Sequence, residues 1–348
     1  MARINTLGNF LTDVADAIRE KKGTTDTILA SNFDTEIASI EGGGDINEYL
    51  SDTITSGNNS LGGWINTIKK MRSPLTVKGT SAEYMFYNYK LNELPQLDTS
   101  NVTDMNHMFT LCTNLTIIPQ LDTSNVTYMN YMFSGCANLT TIPQLDTSNV
   151  TNMRYMFNGC ANLTTIPQIN TSNVTNMSYM FNDCTNLTTI PQINTSNVTN
   201  MSLMFASCAN LTTIPQLDTS NVTDMSNMFS GCRKITTIPQ LNGEKLINVY
   251  RNFYSCTSLE NFNGLINLGQ AYSTSQSANN GNYNLDLSGS NSLTEQSIIN
   301  ILSNLYDIAT KGCKTQTVTL GATNLAKLTS TEGQQALANA QSKGWNIN

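Results

Sequence analysis

The chain is poor in charge. Asp, Glu, Lys and Arg make up 12% of its 348 residues, and the balance is acidic, with 25 carboxylates against 18 Lys and Arg. No basic stripe is present, so the electrostatic footprint of a nucleic-acid or anionic-membrane partner is missing. Histidine is scarcer still, His107 being the only one. Its place is taken in neighbouring repeats by Tyr131, Tyr155, Tyr179, Leu203 and Asn227, which excludes it as a seat for a general base. The motifs GxSxG, GxxxxGKS/T and HExxH do not occur. No apolar run approaches the length of a membrane span. Residues 1–10 lack the basic segment and apolar run of a secretory signal, and no LPxTG-like anchor is found. These absences point to a non-enzymatic protein, without a cofactor and without membrane insertion, made in the cytoplasm and released by lysis.

What the sequence does have is a repeat. From Leu97 to Gln240 a 24-residue unit recurs six times, the third copy reading LDTSNVTNMRYMFNGCANLTTIPQ from Leu145 to Gln168. A fixed period of this length means a solenoid, because one unit cannot bury its own apolar face and needs neighbours above and below. Seven of the eight cysteines, Cys112, Cys136, Cys160, Cys184, Cys208, Cys232 and Cys256, keep the same period beside apolar residues. Side chains stacked about 4.8 Å apart miss the roughly 3.5 to 4.5 Å Cβ separation of a disulfide. They read as reduced core residues, and without a CxxC or a Cys/His pair no metal is expected on them.

In the third copy the apolar positions are Leu145, Val150, Met153, Met156, Phe157, Cys160, Leu163 and Ile166. Neither a helical nor a strand period holds throughout, so the chain must turn inside each unit. The segment Asn162–Asn170, NLTTIPQIN, is β-rich and is the expected sheet-forming strand. The Asp/Asn-Thr-Ser-Asn run is turn chemistry. Asn-Val-Thr-x-Met predicts a second short extended piece, and Met-Phe-x-x-Cys a helical turn with its bulky groups inward.

Ahead of the repeat, Leu7, Phe10, Leu11, Val14 and Ile18 share one helical face, and Phe33, Ile37 and Ile40 line a second, shorter helix. Two such helices make a poor core alone, so these residues are candidates for particle attachment or self-association. Beyond the repeat, Tyr283–Leu287 and Thr315–Leu320 are expected strands, and the pairs Ser292/Glu295 and Thr329/Glu332 read as capping boxes of two helices. The expected fold is an α/β repeat, a solenoid of 24-residue coils. Its parts are 1–44, a helical attachment module; 45–74, a transition and N-terminal cap; 75–265, the solenoid; and 266–348, a strand-helix cap.

The pattern MFxxCxxLxxIPxLxxSNVTxM resembles the BspA-type leucine-rich repeats of bacterial surface proteins. That resemblance implies a leucine-rich-repeat-like solenoid and a role in adhesion or recognition. The closing segment TLGATNLAKLTSTEG…KGWNI resembles the end of the same repeat family. The stretch Leu11–Gly43, LTDVADAIREKKGTTDTILASNFDTEIASIEGG, is similar to a short module at the front of tail and baseplate-associated proteins of phages infecting Gram-positive bacteria. It implies a receptor-binding tail-tip or fibre protein of a phage, prophage or tailocin particle. Its partners would be tail or baseplate proteins through the N-terminus and a host cell-surface glycan or protein, in a homo-oligomer, a trimer being favoured. The alternative is a bacterial surface or secreted leucine-rich-repeat adhesin.

Two surfaces are candidates for receptor binding. Thr140, Thr141, Thr164, Thr165, Thr188, Thr189, Thr212 and Thr213, with Gln144, Gln168, Gln192 and Gln216, give the strand face a repeated hydroxyl and amide lattice suited to multivalent contact. Tyr131, Tyr155 and Tyr179 form a column of aromatic platforms. The column Asp98, Asp122, Asp146, Asn170, Asn194 and Asp218 is open to two readings, calcium ligation or the satisfaction of turn amides. The column of Asn101, Asn125, Asn149, Asn173, Asn197 and Asn221 reads as a structural ladder.

Overall fold

The computed structural model describes residues 75–348 apart from 78, 89–93, 95 and 273–283. The two helices expected around Leu7–Ile18 and Phe33–Ile40, and the transition 45–74, lie outside the described residues.

The chain winds into a repeat solenoid. Parallel bridges run in one column from Ser81 through Asp104, Tyr128, Asn152, Asn176, Asn200 and Asp224 to Asn248, one residue per coil. This column falls on the variable residue of Asn-Val-Thr-x-Met and not on the NLTTIPQIN segment expected to carry the sheet. Proline is the physical reason. Pro119, Pro143, Pro167, Pro191, Pro215 and Pro239 recur in that segment, and each removes the N–H that a continuing ladder would need. What remains in the middle of the stack is one or two main-chain bonds per step, such as Thr188 N–H to Thr164 O at 3.2 Å and Asn186 N–H to Ala161 O at 3.1 Å. Paired strands appear there only towards the end, where Asn263 replaces the proline: β3 (Thr237–Ile238) pairs with β5 (Asn261–Phe262), and β4 (Leu241–Asn242) with β6 (Leu265–Ile266). At the start β1 (Leu75–Thr76) pairs with β2 (Leu97–Asp98).

The Met-Phe-x-x-Cys segment is not the helical turn its residues suggest. Tyr155 and Gly159 take φ of 58° and 70°, and the same two places are left-handed in the coils on either side. Alternate amides therefore leave the segment. Met153, Tyr155, Phe157 and Gly159 donate to Asn176, Ser178, Met180 and Asn182 of the next coil at 2.7 to 3.1 Å. Between them Met156, Asn158 and Cys160 donate three residues back. An α-helix would keep all these bonds to itself; here half of them hold coil to coil. The repeat is thus not α/β within its coils, and all helix among the described residues belongs to the C-terminal segment.

The interior is a set of columns. Phe86, Phe109, Phe133, Phe157, Phe181, Phe205, Phe229 and Phe253 stack with centroids 5.4 to 5.8 Å apart, flanked by fully buried Met153, Met156, Leu163 and their counterparts. The thiols are buried beside them, unpaired, and each reaches a phenylalanine carbonyl of a neighbouring coil, as Cys160 Sγ does to Phe133 O at 3.2 Å. Burial pushes the Cys160 thiol up to about 12.

A parallel three-stranded sheet of β7 (Leu285–Asp286), β8 (Gln316–Thr319) and β9 (Trp345–Ile347) continues the stack. Helices α1 (Glu295–Ser303), α2 (Ala322–Leu325) and α3 (Thr331–Ser342) lie with it. Helix α1 comes so close to the coil at Gly264 that a Cβ there would sit 2.9 Å from Asn300 O, and Gly264 is left-handed with φ of 97°. The caps differ from the boxes expected. Thr294 caps α1 and Ser330 caps α3, through the amides of Ser297 and Gly333. Glu295, expected to close its own helix start, instead accepts from Ser330 N at 2.8 Å and ties α3 to α1. Among the described residues no helix is long and apolar enough to cross a membrane.

Candidate functional site: a lengthwise groove

Four successive residues of each coil build the site. In Gln144-Leu145-Asp146-Thr147 the extended backbone points side chains alternately out and in, so Leu145 and Thr147 are buried while Gln144 and Asp146 face outward. Repeated through Gln168–Thr171, Gln192–Thr195, Gln216–Thr219 and Gln240–Asn242, this leaves a groove of about 1210 Å³ running along the stack. One bank is a row of glutamines. The other is Asp146, Asn170, Asn194, Asp218 and Asn242.

Each glutamine amide is held from below. Gln168 Nε2 donates to Ile169 O at 3.3 Å and to Gln192 O of the next coil at 2.7 Å, and Gln192 Nε2 does the same towards Ile193 O and Gln216 O. Both partners are carbonyls, which fixes the nitrogen side of the amide inward. The Oε1 atoms, with no partner among the described residues, are left to face the groove as a row of acceptors.

The opposite bank is set by turns. Asp146 Oδ1 accepts from Ser148 N at 2.9 Å and Asn170 Oδ1 from Ser172 N at 3.0 Å, so Asp and Asn serve the same turn. Hydrogen bonds from Ser148, its main-chain amide first, hold the Asp146 carboxyl below the usual carboxylate range. The hydroxyl and then the amide of Ser220 do so for Asp218. Of the two readings of this column, the turn role is the one seen. Among the described residues no three His, Cys, Asp or Glu side chains gather as a metal site.

The expected receptor-binding residues divide. Gln144, Gln168, Gln192 and Gln216 line the groove, joined by Gln240. The threonine pairs are exposed but lie outside it, and Thr140, Thr188 and Thr212 spend their hydroxyls on carbonyls of the preceding coil at 3.2 to 3.3 Å. Tyr131, Tyr155 and Tyr179 continue a stack begun by Tyr84 and His107, with centroids 4.1 to 4.5 Å apart. Their faces cover one another, so the column offers ring edges and hydroxyls and not the platforms expected of it. The attachment residues Leu7, Phe10, Leu11, Val14, Ile18, Phe33, Ile37 and Ile40 are outside the described residues. The asparagine ladder is as expected, Asn173 Nδ2 donating to Ser148 O at 2.7 Å and Asn197 Nδ2 to Ser172 O at 2.7 Å.

The sequence did not reveal the pairing of the two banks, nor the threonine column beneath them. Its signal was the out-in-out alternation of Gln-Leu/Ile-Asp/Asn, hidden because the segment was divided between a strand and a turn.

The architecture is that of a repeat solenoid with a groove along its stacking axis, its two polar banks enclosing a lining that is more apolar than polar. The chain belongs to the family described as Mycoplasma protein of unknown function, DUF285, whose model matches residues 80–189, 138–212 and 184–288. Together these span more than half of the 348 residues. No curated protein matches the chain. Among solved structures it is similar to a leucine-rich repeat protein from Eubacterium ventriosum ATCC 27560, at 18% identity and a TM-score of 0.32, over 59% of this chain and 48% of that one. It is similar also to the plant peptide hormone receptor RGFR1 in complex with RGF2, at 13% identity and a TM-score of 0.24, over 73% and 45%. The chain spans less than half the length of either.

Proposed function

We propose that this is a non-enzymatic recognition protein, a leucine-rich-repeat solenoid that holds a cell-surface ligand along its groove. The observation that carries the reading is the groove itself. Five coils present the same outward Gln and Asp or Asn pair in register, and weak contacts repeated at a fixed step add through multivalency. In the finer form of the reading the protein is the receptor-binding tail-tip or fibre protein of a phage, prophage or tailocin. Residues 1–44 are its attachment module, and it is carried in several copies, as a trimer. The support is the resemblance of Leu11–Gly43 to tail and baseplate-associated proteins.

A second reading, a bacterial surface or secreted adhesin, is favoured by the BspA-type pattern of the coils. Both use the groove. Imaging a lysate with a label on the N-terminus separates them: label on tails supports the particle, and label on cell walls with none on tails rejects it. Removing residues 145–192, which takes out two coils and keeps the period, tests recognition in either case. Adsorption of purified protein to cells is expected to be lost, and adsorption that is unchanged reduces the solenoid to a spacer.

A further inference from the structure

The chemistry of the two banks narrows what the groove can hold. From Gln144 to Gln216 the glutamine row offers only acceptors, because both hydrogens of each Nε2 are taken by carbonyls of the same and the next coil. The opposite bank answers with donors at its centre, since Asn170 and Asn194 use Oδ1 on Ser172 and Ser196 and have Nδ2 without a partner among the described residues. One coil thus presents an acceptor and a donor side by side. A hydroxyl both donates and accepts, so a single hydroxylated unit can satisfy Gln168 Oε1 and Asn170 Nδ2 together.

Charge excludes other occupants. Asp146 and Asp218 flank the asparagines, and no Lys, Arg or His lines the groove, which opposes nucleic acid and acidic polysaccharide. The floor residues Ile169, Ile193 and Leu217 are only 1 to 3% exposed, and no aromatic ring lines the site. Coils follow one another at about 4.8 Å, so the matching ligand advances by about the same distance per unit.

We propose that the groove binds a linear, uncharged glycan laid along the stacking axis, about one sugar to a coil, through its hydroxyl and amide groups. The proposal rests on the recognition reading above and specifies its ligand.

The test uses the full chain and a panel of neutral linear hexasaccharides, β-1,4- and β-1,3-glucan, α-1,6-glucan, mannan and N-acetylglucosamine oligomers, beside polygalacturonate and a mixed extended-peptide library. Titration calorimetry is expected to detect at least one neutral hexasaccharide and not polygalacturonate. The double variant Gln168→Leu/Gln192→Leu is expected to weaken that binding by roughly tenfold. The double variant Asp146→Asn/Asp218→Asn keeps the turns, since Asn170 and Asn194 make them already. It is expected to relax the exclusion of polygalacturonate. Cell adsorption that persists while no neutral hexasaccharide binds, or while polygalacturonate or a peptide binds better, overturns the ligand class and leaves recognition standing. Binding of a neutral glycan that ignores the Gln168→Leu/Gln192→Leu change overturns the groove as its seat. Absence of both adsorption and glycan binding in the unaltered chain overturns both readings.

Discussion

Thr147 and Asn170 exchange two hydrogen bonds across neighbouring coils. The Thr147 hydroxyl donates to Asn170 O at 2.8 Å and accepts from Asn170 N at 2.9 Å, although the threonine is 1% exposed. Thr99, Thr171, Thr195 and Thr219 make the donating half of the same contact with the coils that follow them. One buried hydroxyl per coil thereby does what a strand ladder would otherwise do beneath the groove, where no continuous ladder runs.

Replacing that hydroxyl with a methyl keeps the shape and strands two main-chain groups. Thr147→Val is expected to destabilise the chain by about 1 to 3 kcal/mol, the cost of an unsatisfied buried polar group. Thr147→Ser keeps the bonds and should lose much less. Chemical denaturation of the two variants decides it, and equal losses would show that packing of the methyl, not the hydroxyl, holds the coils.

The phenylalanine column is continuous, so its middle member has a ring on each side. Phe157 lies 5.6 Å from Phe133 and 5.5 Å from Phe181. Phe157→Ala is expected to cost about 3 to 5 kcal/mol, transfer and cavity terms together. Because each coil contacts only its neighbours, proteolysis should then cut first in the coils beside residue 157. Cleavage spread evenly over the solenoid would contradict a nearest-neighbour stack.

The buried thiols make the fold sensitive to alkali. An ordinary thiol near 9 is raised in the native chain to about 12 at Cys160 and at Cys256, chiefly by burial. The native state therefore keeps protons that the unfolded chain gives up once pH passes 9. Stability is full below that value and is lost as pH rises towards 12, by about 1 kcal/mol per thiol at pH 10. A melting series from pH 8 to 11 should fall, and Cys160→Ala should fall less steeply. The partly exposed Cys313 should react with a thiol reagent in the native protein well before the column does.

His107 gives the opposite limb. Stacked between Tyr84 at 4.5 Å and Tyr131 at 4.4 Å, it has a pKa lowered by burial, against a smaller raising effect of Asp104. Below its ordinary value near 6.5 the unfolded chain takes up a proton more readily than the native one, so stability declines on acidification. His107→Tyr restores the residue found in the next coils and is expected to reduce that decline in a melting series from pH 7 to 5. An unchanged slope would assign the acid sensitivity to other groups.

Much of this was legible beforehand. The 24-residue period named a solenoid, and the apolar positions of the third copy, from Leu145 and Val150 to Leu163 and Ile166, are the ones found inside. The cysteine column and the asparagine ladder could be placed because identical residues at a fixed period must stack. The site was half visible: the glutamines were singled out, and the acidic column was noticed for its turns without being seen as the other bank.

The sequence by itself determined the repeat and the sidedness of each residue, since both follow from period and polarity along the chain. Only the tertiary structure decided where the hydrogen bonds go. Proline silences the segment that looks most like a strand, left-handed residues at Tyr155 and Gly159 turn alternate amides towards the next coil, and stacked rings close the tyrosine faces. Each of these depends on groups about 24 residues apart in the chain, and local patterns in the sequence carry no information about the direction in which such partners meet.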